Sequence, residues 1–137
     1  MQNHFKLSNS EFEQRFIDCE IDPSIFSHEA HLRLAWININ KYGLAQAEIN
    51  IQKQLKAYVK SVGASDKYNA TLTLAAIKAV SHFMQKSISN DFKEFMIEFP
   101  QLNNNFKGLI SYHYSFDIYN SDKAKKEFLE PDLNSFD

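Results

Sequence analysis

The chain has few of the residues that break helices or cross-link a small protein. Among its 137 residues there are three glycines, three prolines and a single cysteine, Cys19. One thiol excludes an intramolecular disulfide and is compatible with a reducing compartment. Because turn-forming residues are so scarce, the composition favours helices over a series of short strands.

Long apolar runs and strong charge are also missing, and no leader sequence is expected. No window approaches the roughly 18 consecutive apolar residues of a membrane span. The first residues lack the charged start and apolar run of a secretory signal. The net charge is −2, with Lys and Arg scattered along the chain, which gives nucleic-acid binding little support. We expect a soluble, cytoplasmic protein with no membrane or nucleic-acid partner.

Aromatic residues, in contrast, are abundant. Twelve Phe and six Tyr contribute to an aromatic content of 14%, which favours a packed core or an apolar pocket over disorder. The length suits one domain over residues 1–137. Residues 1–7 and 134–137 are expected to fray.

Capping signals and helical periodicity divide the chain into helices. A capping box at Ser8 or Ser10 starts the first helix. Gly43 and Gly63 are suited to end the second and third helices, and Asp66 is expected to cap a long fourth helix. The predicted helices cover about 8–19, 28–42, 44–62, 67–86, 90–99, 106–112 and 121–128, with a loop at 101–105. We therefore expect an all-α, single-domain bundle of about five to seven helices.

The most informative segment is 26–36, Phe-Ser-His-Glu-Ala-His-Leu-Arg-Leu-Ala-Trp. On a helix, His28 and His31 lie on one face, three residues apart. The helix dipole near its N-terminus favours neutral imidazole, the form that a metal ligand or a general base needs. The pair therefore predicts a divalent metal site or ligand-binding histidines. The simpler alternative is that His28 caps the helix or bonds a backbone carbonyl, and that His31 is a hydrogen-bonded core residue.

Two further segments place hydroxyl and imidazole groups together. Tyr68 and Thr71 lie near the start of the predicted fourth helix. His113 and Tyr114 belong to Ser-Tyr-His-Tyr-Ser at 111–115, which can direct several polar groups into a pocket. The simpler alternative is that these groups serve packing or satisfy helix ends. Three residues are given no role in a site: His4, Cys19 and His82.

Four blocks of the sequence form a pattern. They are 26–36, Lys-Tyr-Asn-Ala-Thr-Leu-Thr at 67–73, His-Tyr-Ser at 113–115 and Phe-Leu-Glu-Pro-Asp-Leu at 128–133. In these blocks, over residues 26–133, the chain resembles a family of small, functionally uncharacterised bacterial all-helical proteins. The resemblance carries no activity to transfer. Relatives often have His at the position of Asn69. If that histidine is a metal ligand in relatives, the resemblance implies that a metal centre here would be incomplete or use another ligand.

Each block has polar groups at one end of a predicted helix, and we expect them to converge on one pocket. The residues of this pocket are His28, His31, Tyr68, Asn69, Thr71, His113 and Tyr114. It would bind a small molecule or, through His28 and His31, a divalent metal ion, and it could support acid/base catalysis such as hydrolysis. The alternative is a non-catalytic interaction or homodimerisation module in which the His and Tyr groups serve stability. Its exposed apolar patch would include Phe92, Phe95 and Phe99.

Overall fold

In the computed structural model, which describes residues 3–136, the chain forms α-helices and no strands. The all-α prediction is confirmed. Three short 3-10 helices cover His4–Lys6, Pro23–Ile25 and Ser65–Lys67. The eight α-helices of the described residues are α1 Asn9–Ile17, α2 His28–Tyr42, α3 Leu44–Ser61, α4 Ala70–Met84, α5 Phe92–Glu98, α6 Gln101–Asn104, α7 Phe106–His113 and α8 Asp122–Lys126.

The described part of the chain divides after Tyr68 into two compact units. The first unit contains α1, α2 and α3, with α2 and α3 joined by Gly43 alone and packed together. The second unit contains α4 to α8, and α4 packs against α8. The sequence expectation of one domain stays a prediction. No helix within residues 3–136 combines the length and the hydropathy that crossing a membrane requires.

Local sequence signals set the helix ends of the first unit. The Ser8 hydroxyl accepts from the Glu11 N–H at 3.1 Å, and the Glu11 carboxylate accepts from the Ser8 N–H at 3.0 Å. This is the predicted capping box. Ser27 caps α2 by accepting from the Ala30 N–H at 3.2 Å. Gly43, with φ 84°, follows the last residue of α2, as predicted.

The end of α1 uses a left-handed residue that is not glycine. Cys19 has φ 58°. Its N–H donates to the Phe16 carbonyl at 3.0 Å, and the Glu20 N–H donates to the Arg15 carbonyl at 2.7 Å. This pair of bonds is the Schellman motif, in which glycine is the usual left-handed residue. A side chain in this conformation costs about 1 kcal/mol.

Arg33 of α2 joins the N-terminal segment, residues 3–7, to the first unit. Its Nη1 donates to the His4 carbonyl at 2.6 Å, and its Nη2 donates to the Leu7 carbonyl at 2.8 Å. Nη2 also donates to Asn9 Oδ1 at 2.9 Å. The guanidinium lies 5.0 Å from the ring centroid of Phe12. The side chain is buried, and its planar set of N–H donors binds all three oxygens at once.

His4 completes this group of contacts. It is 2% exposed, and its Nε2 lies 2.9 Å from Glu29 Oε1. Its Nδ1 lies 3.4 Å from Nη1 of Arg33, which is 29 residues further along the chain. We call His4, Asn9, Glu29 and Arg33 the Arg33 cluster. His4 was given no role in a site, and the structure shows a structural role for it through partners that are distant in sequence. The fraying expected at residues 1, 2 and 137 lies outside the described residues.

In the second unit the first helix begins later than predicted. The chain makes a 3-10 turn at Ser65–Lys67, so Asp66 does not cap α4. Asn69 takes this position, and its Oδ1 accepts from the Leu72 N–H at 2.9 Å. Asn is as good an N-cap as Asp. Asp91 likewise caps α5, and Ser121 caps α8.

The segment predicted as a loop at 101–105 contains α6 instead. Pro100 has φ −63° and ψ −22°, which already fit a helix. Its carbonyl accepts from the Asn103 and Asn104 N–H groups at 3.1 and 2.9 Å. This extra helix takes the number of helices in the described residues above the expected range. Polar composition predicted a loop, but the fixed φ of Pro100 and these bonds favour a helical turn.

The phenylalanines expected to form an exposed patch belong to the core. Phe92 is 3% exposed and Phe95 is fully buried, while Phe99 is half-buried. The centroids of Phe95 and Phe99 are 5.5 Å apart, and Phe83 lies 5.0 Å from Phe99. The prediction of an exposed patch was therefore wrong, because these rings pack against each other and against Phe83 of α4.

Replacing Arg33 by Lys should lower the free energy of unfolding by about 2 kcal/mol, because one ammonium cannot reach all the oxygens that the guanidinium binds. Chemical denaturation of the purified protein measures the change. The same substitution at the exposed Arg15 is the matched control, with an expected change within about 0.5 kcal/mol. Equal effects at the two positions would contradict the role of Arg33.

Replacing Cys19 by Gly should raise the free energy of unfolding by about 1 kcal/mol, since glycine adopts φ 58° without strain. Cys19→Ala is the control, because it removes the thiol and keeps the strained backbone. Thermal and denaturant unfolding should therefore rank the Gly variant above the Ala variant. If the Ala variant were as stable as the Gly variant, the gain in stability would come from removal of the thiol and not from relief of backbone strain.

Candidate histidine site

His28 and His31 lie at the start of α2 and near each other, as their spacing predicted. Both are exposed to solvent. The Nδ1 of His31 lies 2.9 Å from the Ser27 carbonyl oxygen. A carbonyl only accepts, so Nδ1 carries the proton, and Nε2 of the neutral ring is an acceptor. Within residues 3–136 no protein group is hydrogen-bonded to this Nε2.

The surroundings of His31 favour its neutral form. Phe26 stacks on one face of the imidazole, with centroids 4.0 Å apart and an interplanar angle of 29°. Although the residue as a whole is exposed, nearby protein atoms remove part of the water around the ring, and this desolvation is the main cause that lowers the pKa of His31. The bond to Ser27 opposes the shift, and the charge of His28 adds slightly to it. His31 therefore presents an unprotonated Nε2 near neutral pH.

An aromatic cluster fixes Phe26 beneath His31. Phe26 lies 5.2 Å from Phe16 and 4.9 Å from Tyr58, measured between centroids. The Tyr58 hydroxyl donates to the Ile21 carbonyl at 2.8 Å, which anchors its ring. Phe26 was not among the residues predicted for the site, although its ring positions His31. Its place in the same block as the two histidines was the available signal.

Tyr68 is the last residue of the first unit and directly follows the 3-10 helix at Ser65–Lys67. It is half-buried, and the Lys56 ammonium of α3 lies 5.3 Å from the centroid of its ring. The residue was expected to line a ligand pocket. The structure shows a cation–π interaction between Lys56 and Tyr68, which stabilises the approach of the chain to α3.

The other predicted site residues hold irregular backbone in the second unit. Besides capping α4, Asn69 donates through Nδ2 to the Ile118 carbonyl at 2.8 Å. Thr71, which is fully buried, donates to the Glu127 carbonyl at 2.8 Å and accepts from the Leu129 N–H at 3.0 Å. Both side chains thus satisfy backbone groups that no helix pairs.

His113 and Tyr114 bind the same stretch of chain, residues 127–136, which we call the C-terminal segment. Tyr114 donates to the Leu129 carbonyl at 2.7 Å, and burial raises the pKa of this phenol to about 12. The Nδ1 of His113 lies 2.7 Å from the Asn134 carbonyl oxygen. Phe136 stacks on the His113 ring, with centroids 4.0 Å apart.

His31 and His113 share one local arrangement. In each, a carbonyl oxygen accepts from Nδ1 and a phenylalanine stacks on the ring, at interplanar angles of 29° and 26°. In each, Nε2 is left as the acceptor. The two histidines belong to different units, so convergence of all seven predicted residues on one pocket stays a prediction.

A metal ion would find a limited set of ligands. Among residues 3–136, no group of three or more His, Cys, Asp or Glu side chains is placed to hold one. His28 and His31 would supply two imidazoles, and stable zinc sites have three or four protein ligands. A metal held by this pair would complete its coordination with water or a bound ligand.

Comparison of the chain with protein-family models, with curated proteins and with solved structures gives no match. The family resemblance of the four sequence blocks therefore stays a prediction, and the function has to be argued from the side chains themselves.

Replacing Thr71 by Val should lower the free energy of unfolding by about 2 kcal/mol, because two backbone groups of the C-terminal segment lose their partner. Hydrogen exchange at the Leu129 amide should accelerate in parallel. Thr73→Val is the matched control, since the Asn69 carbonyl that its hydroxyl binds also accepts from the Thr73 N–H. Slow exchange at Leu129 in the Thr71 variant would contradict the assignment.

Proposed function

We propose that this protein binds a small molecule or a divalent metal ion through Nε2 of His31, with His28 as the second imidazole. The observation that carries the proposal is the bond from His31 Nδ1 to the Ser27 carbonyl. It leaves Nε2 unprotonated and directed away from its own helix end. A histidine held in this way is typical of metal ligands and of catalytic bases.

The chemistry of such a site follows from the neutral ring. Nε2 can bind a borderline metal ion, accept a hydrogen bond from a ligand, or take a proton from it. The stacked Phe26 and the bond to Ser27 hold the imidazole in place before a ligand arrives, so little entropy is lost on binding. These features support binding, and they leave hydrolysis or other acid/base catalysis as a further use of the same atom.

For the predicted site residues of the second unit, a structural role is favoured over ligand binding. We infer that Asn69, Thr71 and Tyr114 serve stability, because their polar atoms bond the backbone of other segments. His113 shares in this role through Nδ1, and its Nε2 is proposed as a separate ligand contact within the second unit. The apolar patch that was expected to mediate homodimerisation is not exposed, since Phe92 and Phe95 are buried.

Replacing both His28 and His31 by Ala should abolish ligand binding and leave cooperative unfolding intact, because both side chains are exposed. Two probes cover the two ligand classes. Elemental analysis of the untagged protein and calorimetric titration with Zn²⁺ test the metal. A thermal-shift screen of small molecules that carry hydrogen-bond donors tests the organic ligand. His82→Ala, which removes one imidazole from α4, is the matched control and should bind as the unaltered protein does.

Two results would overturn the proposal. One is equal binding of Zn²⁺ or of a screened compound by the double variant and the unaltered protein. The other is a nuclear magnetic resonance spectrum in which His31 carries its proton on Nε2, because that tautomer cannot accept from a ligand or bind a metal there.

A further inference from the structure

The Arg33 cluster places a second titratable group against a buried cation. His4 is 2% exposed, and its Nδ1 lies 3.4 Å from Nη1 of Arg33. A guanidinium has donors and no acceptor, so a favourable contact requires Nδ1 of His4 to be unprotonated. The proton of the neutral ring is then on Nε2, where Glu29 accepts it at 2.9 Å.

Only one protonation state of His4 fits these neighbours. A second proton on Nδ1 would point at the N–H groups of Arg33 and bring two positive charges together in a site with little water. Within residues 3–136, two charged side chains of α2, Glu29 and Arg33, act on the imidazole. Asn9 of α1 is uncharged, and Phe5 and Phe12 present rings, with centroids 4.2 and 5.9 Å from that of His4.

Glu29 by itself would favour the charged imidazole. Burial outweighs it, with a smaller contribution from Arg33, and the pKa of His4 is held below its ordinary value of 6.5. The geometry and the direction of this shift agree: the neutral ring is the form that the folded contact selects.

The N-terminal segment depends on the same guanidinium. The carbonyls of His4 and Leu7 both accept from Arg33, at 2.6 and 2.8 Å. Displacement of Arg33 by a protonated ring would therefore weaken both attachments together. We propose that the Arg33 cluster is an acid-sensitive contact, in which proton uptake by His4 releases residues 3–7 from α2.

The direction of the pH dependence follows from linkage. The released segment binds a proton at the ordinary pKa of 6.5, and the docked segment binds it only at a lower pH. The stabilisation is therefore complete above pH 6.5 and is lost as the pH falls below it, towards the pKa of the docked state. Because one proton is taken up, the opening equilibrium can rise by at most about tenfold per pH unit.

Hydrogen exchange of the full-length protein tests the proposal at the Lys6 and Leu7 amides, which bond the Asn3 and His4 carbonyls. After correction for intrinsic exchange, opening should increase several-fold between about pH 7.5 and about pH 5.5. His4→Gln keeps a donor for Glu29 and cannot titrate, so its opening should not change with pH. His82→Gln is the control and should keep the response.

A pH-independent opening in the unaltered protein would overturn the proposal, as would an equal response in His4→Gln. A resonance titration of the unaltered protein gives a second measurement that needs no variant. The His4 ring should titrate below pH 6.5, and titration at or above this value would contradict the contact that we describe. Neither result depends on whether His28 and His31 bind a ligand.

Discussion

The first unit depends on one buried guanidinium that is bound mainly by backbone oxygens. A buried cation is costly unless hydrogen bonds replace the water that it loses. Arg33 meets this requirement with the carbonyls of His4 and Leu7 and the side chain of Asn9. The dependence is mutual, because the short 3-10 helix at His4–Lys6 is too small to be stable alone. The N-terminal segment therefore supplies hydrogen-bond acceptors for the guanidinium of Arg33, and these bonds in turn hold the segment against α2.

In the second unit, too, side-chain hydrogen bonds hold an irregular segment, but here the side chains are uncharged. The C-terminal segment beyond α8 has no helix or sheet to pair its backbone, so the side chains of Thr71 and Tyr114 bind it. The Leu133 N–H adds a bond to the carbonyl of His113. Polar residues that recur near helix ends in the sequence are therefore explained here by backbone that must be satisfied. Clustering of such residues is weak support for a catalytic site.

The sequence predicted those features whose causes lie within about four residues. The Ser8 capping box, the bounds of α2 and the placement of His28 and His31 on one face are all of this kind. It did not predict the partners of His4 or the burial of Phe92, since these depend on which segments meet in three dimensions. Nothing local indicated that Arg33 would bind His4, Leu7 and Asn9. The start of α4 was misplaced because two good caps, Asp66 and Asn69, compete, and the turn at Ser65–Lys67 decides between them.

The two histidines with matching surroundings differ in what sets their tautomer. His31 donates to Ser27, four residues earlier and part of the same helix end, so its proton position is fixed wherever α2 forms. His113 donates to Asn134, 21 residues later, so its proton position depends on the C-terminal segment staying in place. A ligand contact at His31 is thus organised by local structure. Any contact at His113 is coupled to the folding of a distant segment, and for this reason the site in the first unit carries the functional proposal.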